Sequence, residues 1–209
     1  MKNTKKIYVV GNATYYANFI KNHELVSDLK EANIVLFTGG EDVDPSLYGC
    51  EKHSSTYSNL ERDLYEKEIF AQVSENQLVV GVCRGSQFCC IMNGGILIQH
   101  CENHGIRGTH TIYEPNTNRL YDITSTHHQM QYPFNVPNVS ILMYSYPRRS
   151  SRYYGDKVNP YLIEEEPEIV LYRTPNKPKC LAIQGHPEYM PSESPIVVRL
   201  NEIIDILCK

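Results

Sequence analysis

The chain has 209 residues, a formal net charge of −4 at pH 7 and a hydrophobic content of 41%. This length is enough for one domain with a full core over residues 1–209, and the weak charge argues against nucleic acid or a membrane surface as a partner. The apolar run from Ile7 to Val10 is too short for a signal peptide core or a membrane span, and no later run is long enough. Seven cysteines without framework spacing indicate reduced thiols, so we expect a cytoplasmic protein.

Strands alternate with helical stretches in the first half of the chain. The predicted strands are Lys6 to Val10 and Ile34 to Thr38, and the predicted helices are Ala17 to Leu29, which is weakly patterned, and Leu60 to Val73. This alternation predicts an α/β fold with a mostly parallel central sheet flanked by helices. Functional loops gather at the carboxyl ends of strands in such sheets, so Gly39-Gly40, which follows the second strand, is a candidate part of a site.

The loop after this glycine pair is acidic. It contains Glu41, Asp42 and Asp44, but their spacing lacks the rest of a calcium-binding loop. We therefore interpret these residues as solvated loop acids rather than as metal ligands.

The segment from Leu78 to Gln87 carries the clearest chemical signal. A short apolar run leads to Gly81, Cys83 and Gly85, and a helical pattern follows. A buried strand that turns sharply into a helix would expose Cys83 on the turn, with glycines where a side chain would crowd the backbone. The helix N-terminus would favour the thiolate over the thiol. The alternative is that Cys83 merely fills the core, as one of seven cysteines.

The run from His100 to His104 places three residues that could bind zinc, His100, Cys101 and His104, within five positions. A closed zinc site usually needs four such ligands, and no second cluster has the matching spacing. We therefore expect no metal here.

The second half of the chain consists mainly of predicted strands, with one helix at its end: Arg107 to Tyr113, Leu120 to Ile123, Val139 to Tyr144, Glu168 to Tyr172, Cys180 to Gln184 and the helix from Pro191 to Cys208. A polar run, Thr124 to Gln129, lies at one strand end. Its adjacent histidines, His127 and His128, would point opposite ways on an extended chain, so at most one would face a site.

The segment from Tyr146 to Gly155 interleaves arginine with tyrosine. Arginine forks suit phosphate, and tyrosine faces suit a base or an arginine plane. A solvated loop is the simpler interpretation, since loops are commonly polar. If the segment overhangs a site, it indicates an anionic or nucleotide-bearing substrate.

A thiol nucleophile needs a base, and the base needs an orienting partner. His186-Pro187-Glu188 supplies both residue types at the end of the last predicted strand. Residues i and i+2 of an extended segment share a side, and the proline favours the extended form, so Glu188 would hold the His186 imidazole toward Cys83. The alternative is a histidine without a role at a strand end.

From about Ile34 to Tyr189 the chain resembles the class I glutamine amidotransferase-like proteins, specifically their gamma-glutamyl hydrolase branch. Five motifs in the family's order carry this resemblance: Thr38-Gly39-Gly40-Glu41-Asp42-Val43-Asp44-Pro45-Ser46-Leu47-Tyr48-Gly49, Arg62-Asp63, Gly81-Val82-Cys83-Arg84-Gly85-Ser86-Gln87, Ser125-Thr126-His127-His128-Gln129 and Gln184-Gly185-His186-Pro187-Glu188. Two positions depart from the pattern. Gly185 stands where an aromatic residue is common, which would open space beside His186, and Thr124 replaces an expected asparagine.

The resemblance implies three groups of site residues: a catalytic triad of Cys83, His186 and Glu188, an oxyanion hole of backbone N–H groups near Gly40 and at Arg84, and substrate-binding residues Gln87, Ser125, Thr126, His127 and His128. The implied reaction is attack of the thiolate on the gamma-carbonyl of a glutamyl group, followed by hydrolysis of a glutamyl thioester. We expect this chemistry to require no metal and no organic cofactor.

The implied partner is a small gamma-glutamyl compound, and the length leaves no room for a synthetase domain. A glutaminase subunit of a two-chain amidotransferase is the second hypothesis, which the hydrolase-like motifs disfavour. A catalytically inactive relative that binds a ligand or a partner is the third, and the intact Cys83, His186 and Glu188 disfavour it. The oligomeric state stays open.

Overall fold

The structure is a computed structural model that describes residues 4–209. Within these residues the α-helices are α1 (Leu60–Phe70), α2 (Arg84–Met92) and α3 (Pro195–Leu207). The strands are β1 (Lys5–Val10), β2 (His23–Leu25), β3 (Ile34–Phe37), β4 (Leu78–Val82), β5 (Ile96–Ile98), β6 (His100–Cys101), β7 (Gly105–Glu114), β8 (Arg119–Thr126), β9 (Met130–Tyr132), β10 (Val139–Ser145), β11 (Tyr153–Tyr154), β12 (Pro167–Tyr172) and β13 (Lys179–Ile183). Short 3-10 helices cover Thr14–Phe19, Leu29–Glu31, Pro45–Tyr48, Pro160–Leu162 and Pro187–Tyr189.

Nine of these strands form the central sheet, in the order β2-β1-β3-β4-β13-β12-β10-β7-β8. Neighbours pair in parallel from β2 to β13 and antiparallel from β13 to β8. The predicted α/β fold, with its parallel sheet and flanking helices, is confirmed. The parallel part brings the carboxyl ends of β3, β4 and β13 side by side, and this is where the predicted site residues lie.

The sheet is buried on both faces. Along β3, Ile34 and Leu36 belong to one apolar cluster, whereas Val35 and Phe37 belong to the other. The first cluster includes residues of α3, and the second includes residues of α1 and α2. An interior strand covered by helices on both sides has a continuous apolar sequence, which is why β3 and β4 were recognisable.

The predicted helix from Ala17 to Leu29 is wrong. The chain there forms the 3-10 helix Thr14–Phe19, then β2, then a second 3-10 helix. Asn22 adopts a left-handed conformation with a φ of 54°, which ends any helical path, and β2 then pairs with β1 at the edge of the sheet. Backbone pairing at this edge therefore overrides a weak helical pattern.

Two helices differ from prediction in detail. The last helix begins at Pro195 rather than at Pro191, with Ser194 as its N-cap residue and the proline in the first turn. Helix α1 ends at Phe70 rather than at Val73, and it buries Asp63, Glu66 and Phe70, whereas Leu64 is 47% exposed. None of the helices within residues 4–209 has the length and apolar content needed to cross a bilayer.

Candidate active site

Cys83 occupies the sharp turn between β4 and α2. Its φ of 54° and ψ of −110° lie outside the regions that non-glycine residues usually adopt. A Cβ at Gly81 would lie 2.3 Å from the Gly85 carbonyl oxygen, and a Cβ at Gly85 would lie 2.1 Å from the Phe37 carbonyl oxygen. Only glycine fits at either position, so these two residues let α2 fold back against the sheet, as in a nucleophile elbow.

His186 follows β13, the strand that pairs in parallel with β4. Its Nδ1 lies 2.7 Å from Oε1 of the buried Glu188, and its imidazole shares a hydrogen bond with the Cys83 sulfur. Burial disfavours the charged imidazole, but the hydrogen bonds to Cys83 and Glu188 outweigh it and raise the pKa of His186 to about 10. The three side chains thus form a connected thiol, imidazole and carboxylate chain, which is the arrangement that activates a cysteine nucleophile.

The backbone that carries His186 differs from the extended segment that we expected. Pro187–Tyr189 forms a 3-10 turn, and the contact with Glu188 is made within this turn. Thr124 holds the turn in place: it accepts a hydrogen bond from the His186 N–H and donates one from Oγ1 to the His186 carbonyl oxygen. The imidazole also stacks on the Tyr189 ring, with centroids 5.0 Å apart.

The expected open space beside His186 is absent. A Cβ at Gly185 would lie 2.7 Å from the Ile123 side chain and 2.7 Å from the Thr124 carbonyl oxygen. Strand β8 therefore fills the space that a larger residue would need, and Gly185 permits close packing rather than access.

The two predicted oxyanion-hole positions, Gly40 and Arg84, both line a cavity beside Cys83. Gly40 has a φ of +136°, and a Cβ there would lie 2.3 Å from Nη1 of Arg62. Nη2 of Arg62 donates to the carbonyl oxygens of Thr38 and Gly39, at 3.3 and 3.0 Å. This arginine therefore holds the glycine turn in its conformation.

A buried ionic network on α1 joins the Gly39-Gly40 turn to the elbow at Cys83. The sequence analysis assigned no role to this network. The guanidinium of Arg84 is 1% exposed and pairs with Asp63 and Glu66. Glu66 also accepts a hydrogen bond from Nε of Arg62 at 2.8 Å, and Asp63 accepts one from the Asp44 N–H at 2.7 Å. The sequence feature that could have indicated part of this network is the i, i+4 spacing of Arg62 and Glu66 on a predicted helix.

The cavity encloses about 200 Å³. Seven predicted site residues line it: Gly40, Cys83, Arg84, Gln87, Thr126, His127 and His128. Gln87 donates from Nε2 to the Gln129 carbonyl oxygen at 3.0 Å, while its buried Oε1 has no hydrogen-bond partner among residues 4–209. A buried acceptor without a partner beside the cysteine is suited to a ligand that brings a donor.

The loop predicted to bind substrate divides between two environments. Ser125 is fully buried, donates from Oγ to the His104 carbonyl oxygen at 2.5 Å and does not line the cavity. The side chain of His127 is buried, whereas that of His128 is 37% exposed and lies 3.2 Å from Oδ1 of Asp42. The two histidines thus differ in burial, yet both line the cavity, whereas we expected at most one of them to face a site. The hydrogen bond to Asp42 raises the pKa of His128.

The loop acids are not simply solvated, as we had expected. Asp42 accepts a hydrogen bond from the Tyr57 N–H at 2.9 Å, besides its contact with His128. Asp44 accepts from the N–H of Ser46 and from the hydroxyl of Ser58. These two acids organise the loop, whereas Glu41 is exposed. Tyr57, which also lines the cavity, had no sequence signal.

The run from His100 to His104 does not converge on one point. His100 lies beside His128, which lines the cavity: its ring centroid is 5.8 Å from that of His128 and 6.0 Å from that of His53. Cys101 and His104 are buried, and His104 packs instead against His110 and His127.

The segment from Tyr146 to Gly155 is more structured than a solvated loop. Arg148 donates to the Ile163 carbonyl oxygen, Arg149 donates to the Asn103 carbonyl oxygen, and Tyr153–Tyr154 forms β11, which pairs with β6. The Tyr154 ring lies 5.6 Å from that of His100. The segment therefore contacts His100 through its tyrosine, while two of its arginines have structural roles.

The chain is similar to known proteins in sequence and in fold. A family described as peptidase C26 matches residues 8–150, a range that includes Cys83 and ends before His186. A Mycobacterium tuberculosis protein named as a glutamine amidotransferase is 35% identical over 74 residues, which are 34% of this chain and 24% of that protein. A glutamine amidotransferase-like YvdE homolog of Lactococcus lactis is 36% identical over 81 residues, 38% of this chain and 43% of that protein. The chain thus spans less than half the length of these relatives.

Among solved structures, a glutamine amidotransferase from Thermotoga maritima has a similar fold. Its TM-score is 0.57 at 10% sequence identity, and the similarity covers 98% of this chain and 95% of that one. At this identity the likeness concerns the fold alone.

Proposed function

The chain belongs to the peptidase C26 family, and from that premise we propose that it is a cysteine-dependent gamma-glutamyl hydrolase. It releases glutamate from a small gamma-glutamyl conjugate through a glutamyl thioester. The observation that carries the proposal is the connected chain of Cys83, His186 and Glu188 beside a small cavity. Family membership and the glutamine amidotransferase-like relatives support the coarser function, which is hydrolysis or transfer of a glutamine-type amide.

The reaction begins when the Cys83 thiolate attacks the gamma-carbonyl carbon. The resulting oxyanion accepts hydrogen bonds from the backbone N–H groups near Gly40 and at Arg84, and loss of one such donor typically costs about 10²–10³ in rate. His186 then gives its proton to the leaving nitrogen, which departs and leaves the thioester. The same histidine takes a proton from water, which attacks the thioester and releases glutamate and the free thiolate. Glu188 fixes the tautomer of His186 throughout.

The cavity suits the glutamyl group rather than the whole conjugate. Its volume of about 200 Å³ is below the roughly 300–1,000 Å³ of sites that enclose drug-sized ligands. The unpartnered Oε1 of Gln87 would accept a hydrogen bond from the substrate, with Ser125, Thr126, His127 and His128 as the other predicted binding residues. Since Ser125 does not line the cavity, it would act by holding the loop.

The leaving group would then lie at the cavity mouth. The specific substrate that we propose is gamma-glutamyl-CDP-amidate. Its hydrolysis would yield glutamate and cytidine diphosphoramidate. The protein would then be a cytoplasmic enzyme that acts in the decoration of a bacterial capsule. The rings of His53, His100 and Tyr154, with centroids 5.5–6.0 Å apart, offer faces for a base. The exposed guanidinium of Arg152, on the same segment as Tyr154, suits a phosphate.

The second candidate is a glutaminase subunit of a two-chain amidotransferase. The relative named as a glutamine amidotransferase favours it. Such a subunit would hydrolyse glutamine and would need a partner chain for full activity.

Glutamate release from a panel of compounds tests the proposal. The panel contains glutamine, gamma-glutamyl peptides, polyglutamates, gamma-glutamyl amines and gamma-glutamyl-CDP-amidate. We expect rapid turnover of one conjugate and poor turnover of glutamine, with activity lowered by at least about 10⁴-fold in Cys83→Ala and about 10⁴-fold in Glu188→Gln.

The variants separate the hypotheses. Turnover of glutamine alone, or only with a partner chain present, would favour the glutaminase. Equal activity of wild type and Cys83→Ala would disprove the thioester mechanism. Lys67→Ala, at an exposed position of α1 that does not line the cavity, serves as the unaffected control.

A further inference from the structure

A second group of ionisable residues lies beneath the cavity, outside the triad. His104 directly precedes β7, and His110 lies on it. His127 directly follows β8. Glu166 directly precedes β12, and Glu168 lies on that strand. All five side chains are 0–4% exposed. We call them the buried histidine cluster. Charged and polar groups this deeply buried need partners that satisfy them, because burial removes their hydration.

Three imidazoles of the cluster converge on one carboxylate oxygen. Oε1 of Glu168 lies 2.8 Å from Nε2 of His110, 3.4 Å from Nδ1 of His104 and 3.9 Å from Nε2 of His127. Ligand atoms of His104, His110 and Glu168 all lie within 4.8 Å of one another. Ligands of a zinc ion, each about 2.0–2.2 Å from the metal, are spaced on this scale.

The outer nitrogens of two histidines face acceptors. Nε2 of His104 lies 3.3 Å from Oε2 of Glu166, and Nδ1 of His127 lies 2.8 Å from the Gln129 carbonyl oxygen. An outer acceptor of this kind holds the proton on one nitrogen and leaves the other free for a metal. Glu166 is itself held by the N–H groups of Arg149 and Ser150, each at 2.7 Å.

Some buried acceptors of the cluster lack a donor. Because the Nδ1 proton of His127 goes to the Gln129 carbonyl oxygen, Nε2 of His127 presents a lone pair to the carboxylate of Glu168. Nε2 of His127 and Oε2 of Glu168 are buried and have no hydrogen-bond partner within residues 4–209. Buried acceptors without a donor are costly, and a cation bound by the His127 nitrogen or by the Glu168 carboxylate would reduce that cost.

We propose that the buried histidine cluster is a structural zinc site. His104 Nδ1, His110 Nε2 and a carboxylate oxygen of Glu168 bind the ion, and His127 Nε2, 3.9 Å from Oε1 of Glu168, lies beside these three ligands. Imidazole nitrogen with one carboxylate oxygen is a donor set that suits Zn²⁺, and the two carboxylates of the cluster balance its charge. The ion ties β7, β12 and the end of β8 together and sets the loop that lines the cavity, but it takes no part in the cysteine chemistry.

Metal analysis of the intact protein, purified without chelator and with any affinity tag removed, tests the proposal. We expect about one zinc per chain by elemental mass spectrometry. His110→Gln and Glu168→Gln should each weaken zinc binding by at least about 100-fold, and Glu166→Gln, which removes an outer acceptor, by roughly 10–100-fold. Chelation should lower the melting temperature of the wild type, and added zinc should restore it.

The matched control is the double variant His53→Gln/His100→Gln, which changes two histidines near His128 that are not part of the cluster. This variant should keep its zinc. Zinc lost in this variant and retained in His110→Gln would overturn the proposal, because the ion would then lie at those two histidines. Absence of bound zinc in the wild type, with a melting temperature that chelator and zinc leave unchanged, would also overturn it. The wild-type chelation experiment does not depend on the folding of any variant.

Discussion

At several positions around the nucleophile, the space available for a side chain determines which residue type fits. Cys83 adopts a positive φ because β4 must end and α2 must begin within one residue, and Gly81 and Gly85 permit the contact between the two elements. Gly185 has a similar role just after β13, where strand β8 leaves no room for a Cβ. These glycines are explained by close contacts between backbone segments rather than by a need for flexibility.

Gly185→Ala should therefore destabilise the protein. The new methyl group would lie 2.7 Å from the Ile123 side chain and 2.7 Å from the Thr124 carbonyl oxygen. The segment that carries His186 must therefore shift. We expect a loss of about 1–3 kcal/mol in the free energy of unfolding, measured by urea titration, together with a lower kcat.

Gly105→Ala provides the control for this substitution. Its new Cβ would have the His127 carbonyl oxygen as its nearest neighbour, at an ordinary 3.6 Å, and its φ is not positive. We expect a change between zero and a gain of about 1 kcal/mol. Equal effects of the two substitutions would show that the contacts around Gly185 are not what makes it necessary.

At the scale of elements, two helices are held to neighbouring elements by ion pairs as well as by apolar contact. Helix α1 binds Arg84 through Asp63 and Glu66, which ties it to the start of α2. Helix α3 is joined to β7 by Arg199, whose Nη2 lies 2.7 Å from Oε1 of Glu114. Both contacts involve buried carboxylates, so their loss would leave a charge without its partner.

The pair between Glu114 and Arg199 should make stability depend on pH. Burial raises the pKa of the Glu114 carboxyl, but the hydrogen bonds and charge of Arg199 outweigh it and lower this pKa below its usual value. The folded state thus favours the carboxylate, so the contribution is complete above the unfolded pKa of about 4.3 and is lost as the pH falls through the folded pKa. Glu114→Gln should cost roughly 1–3 kcal/mol at pH 7, measured by urea unfolding.

The difference between wild type and Glu114→Gln should shrink as the pH is lowered from 6 to 3. Glu202→Gln is the matched control, since this exposed carboxylate pairs with the same arginine and should contribute less than about 1 kcal/mol. A constant difference at all pH values would mean that the charge of Glu114 is not responsible for its contribution.

At the scale of the whole molecule, two apolar clusters share the same strands. Alternate residues of β3, β4 and β13 enter the cluster beneath α3 and the cluster beneath α1 and α2. Disruption of either cluster would expose strands that the other cluster needs. This coupling favours the single domain over residues 1–209 that we inferred from length.

Residues 1–209 should accordingly unfold as one unit. We expect coincident urea transitions from far-ultraviolet circular dichroism and from tyrosine fluorescence, because secondary structure and packing are lost together. Two separated transitions would show independent units. Limited proteolysis under native conditions, which should release no stable fragment, provides a second readout.

The distribution of apolar residues along the chain accounts for the elements that could be predicted. Strands such as Ile34–Phe37 and Leu78–Val82 are continuous apolar runs, because helices cover them on both sides. The region from Ala17 to Leu29 had only a weak pattern, and pairing at the sheet edge decided its structure. Helix α1 was located correctly, but its buried face carries acids, since the partner that neutralises them, Arg84, comes from a different element.

The sequence by itself determined the fold class, the elbow at Cys83 and the residue types of the candidate triad, because these depend on patterns and spacings within short segments. Only the tertiary structure decided which residues meet across segments: Thr124 with His186, Arg62 with Gly39, and the histidines that face Glu168. Such contacts join residues that are 23 to 64 positions apart, from Arg62 with Gly39 to His104 with Glu168. No local pattern records them, since the strand order that brings them together is a property of the whole sheet.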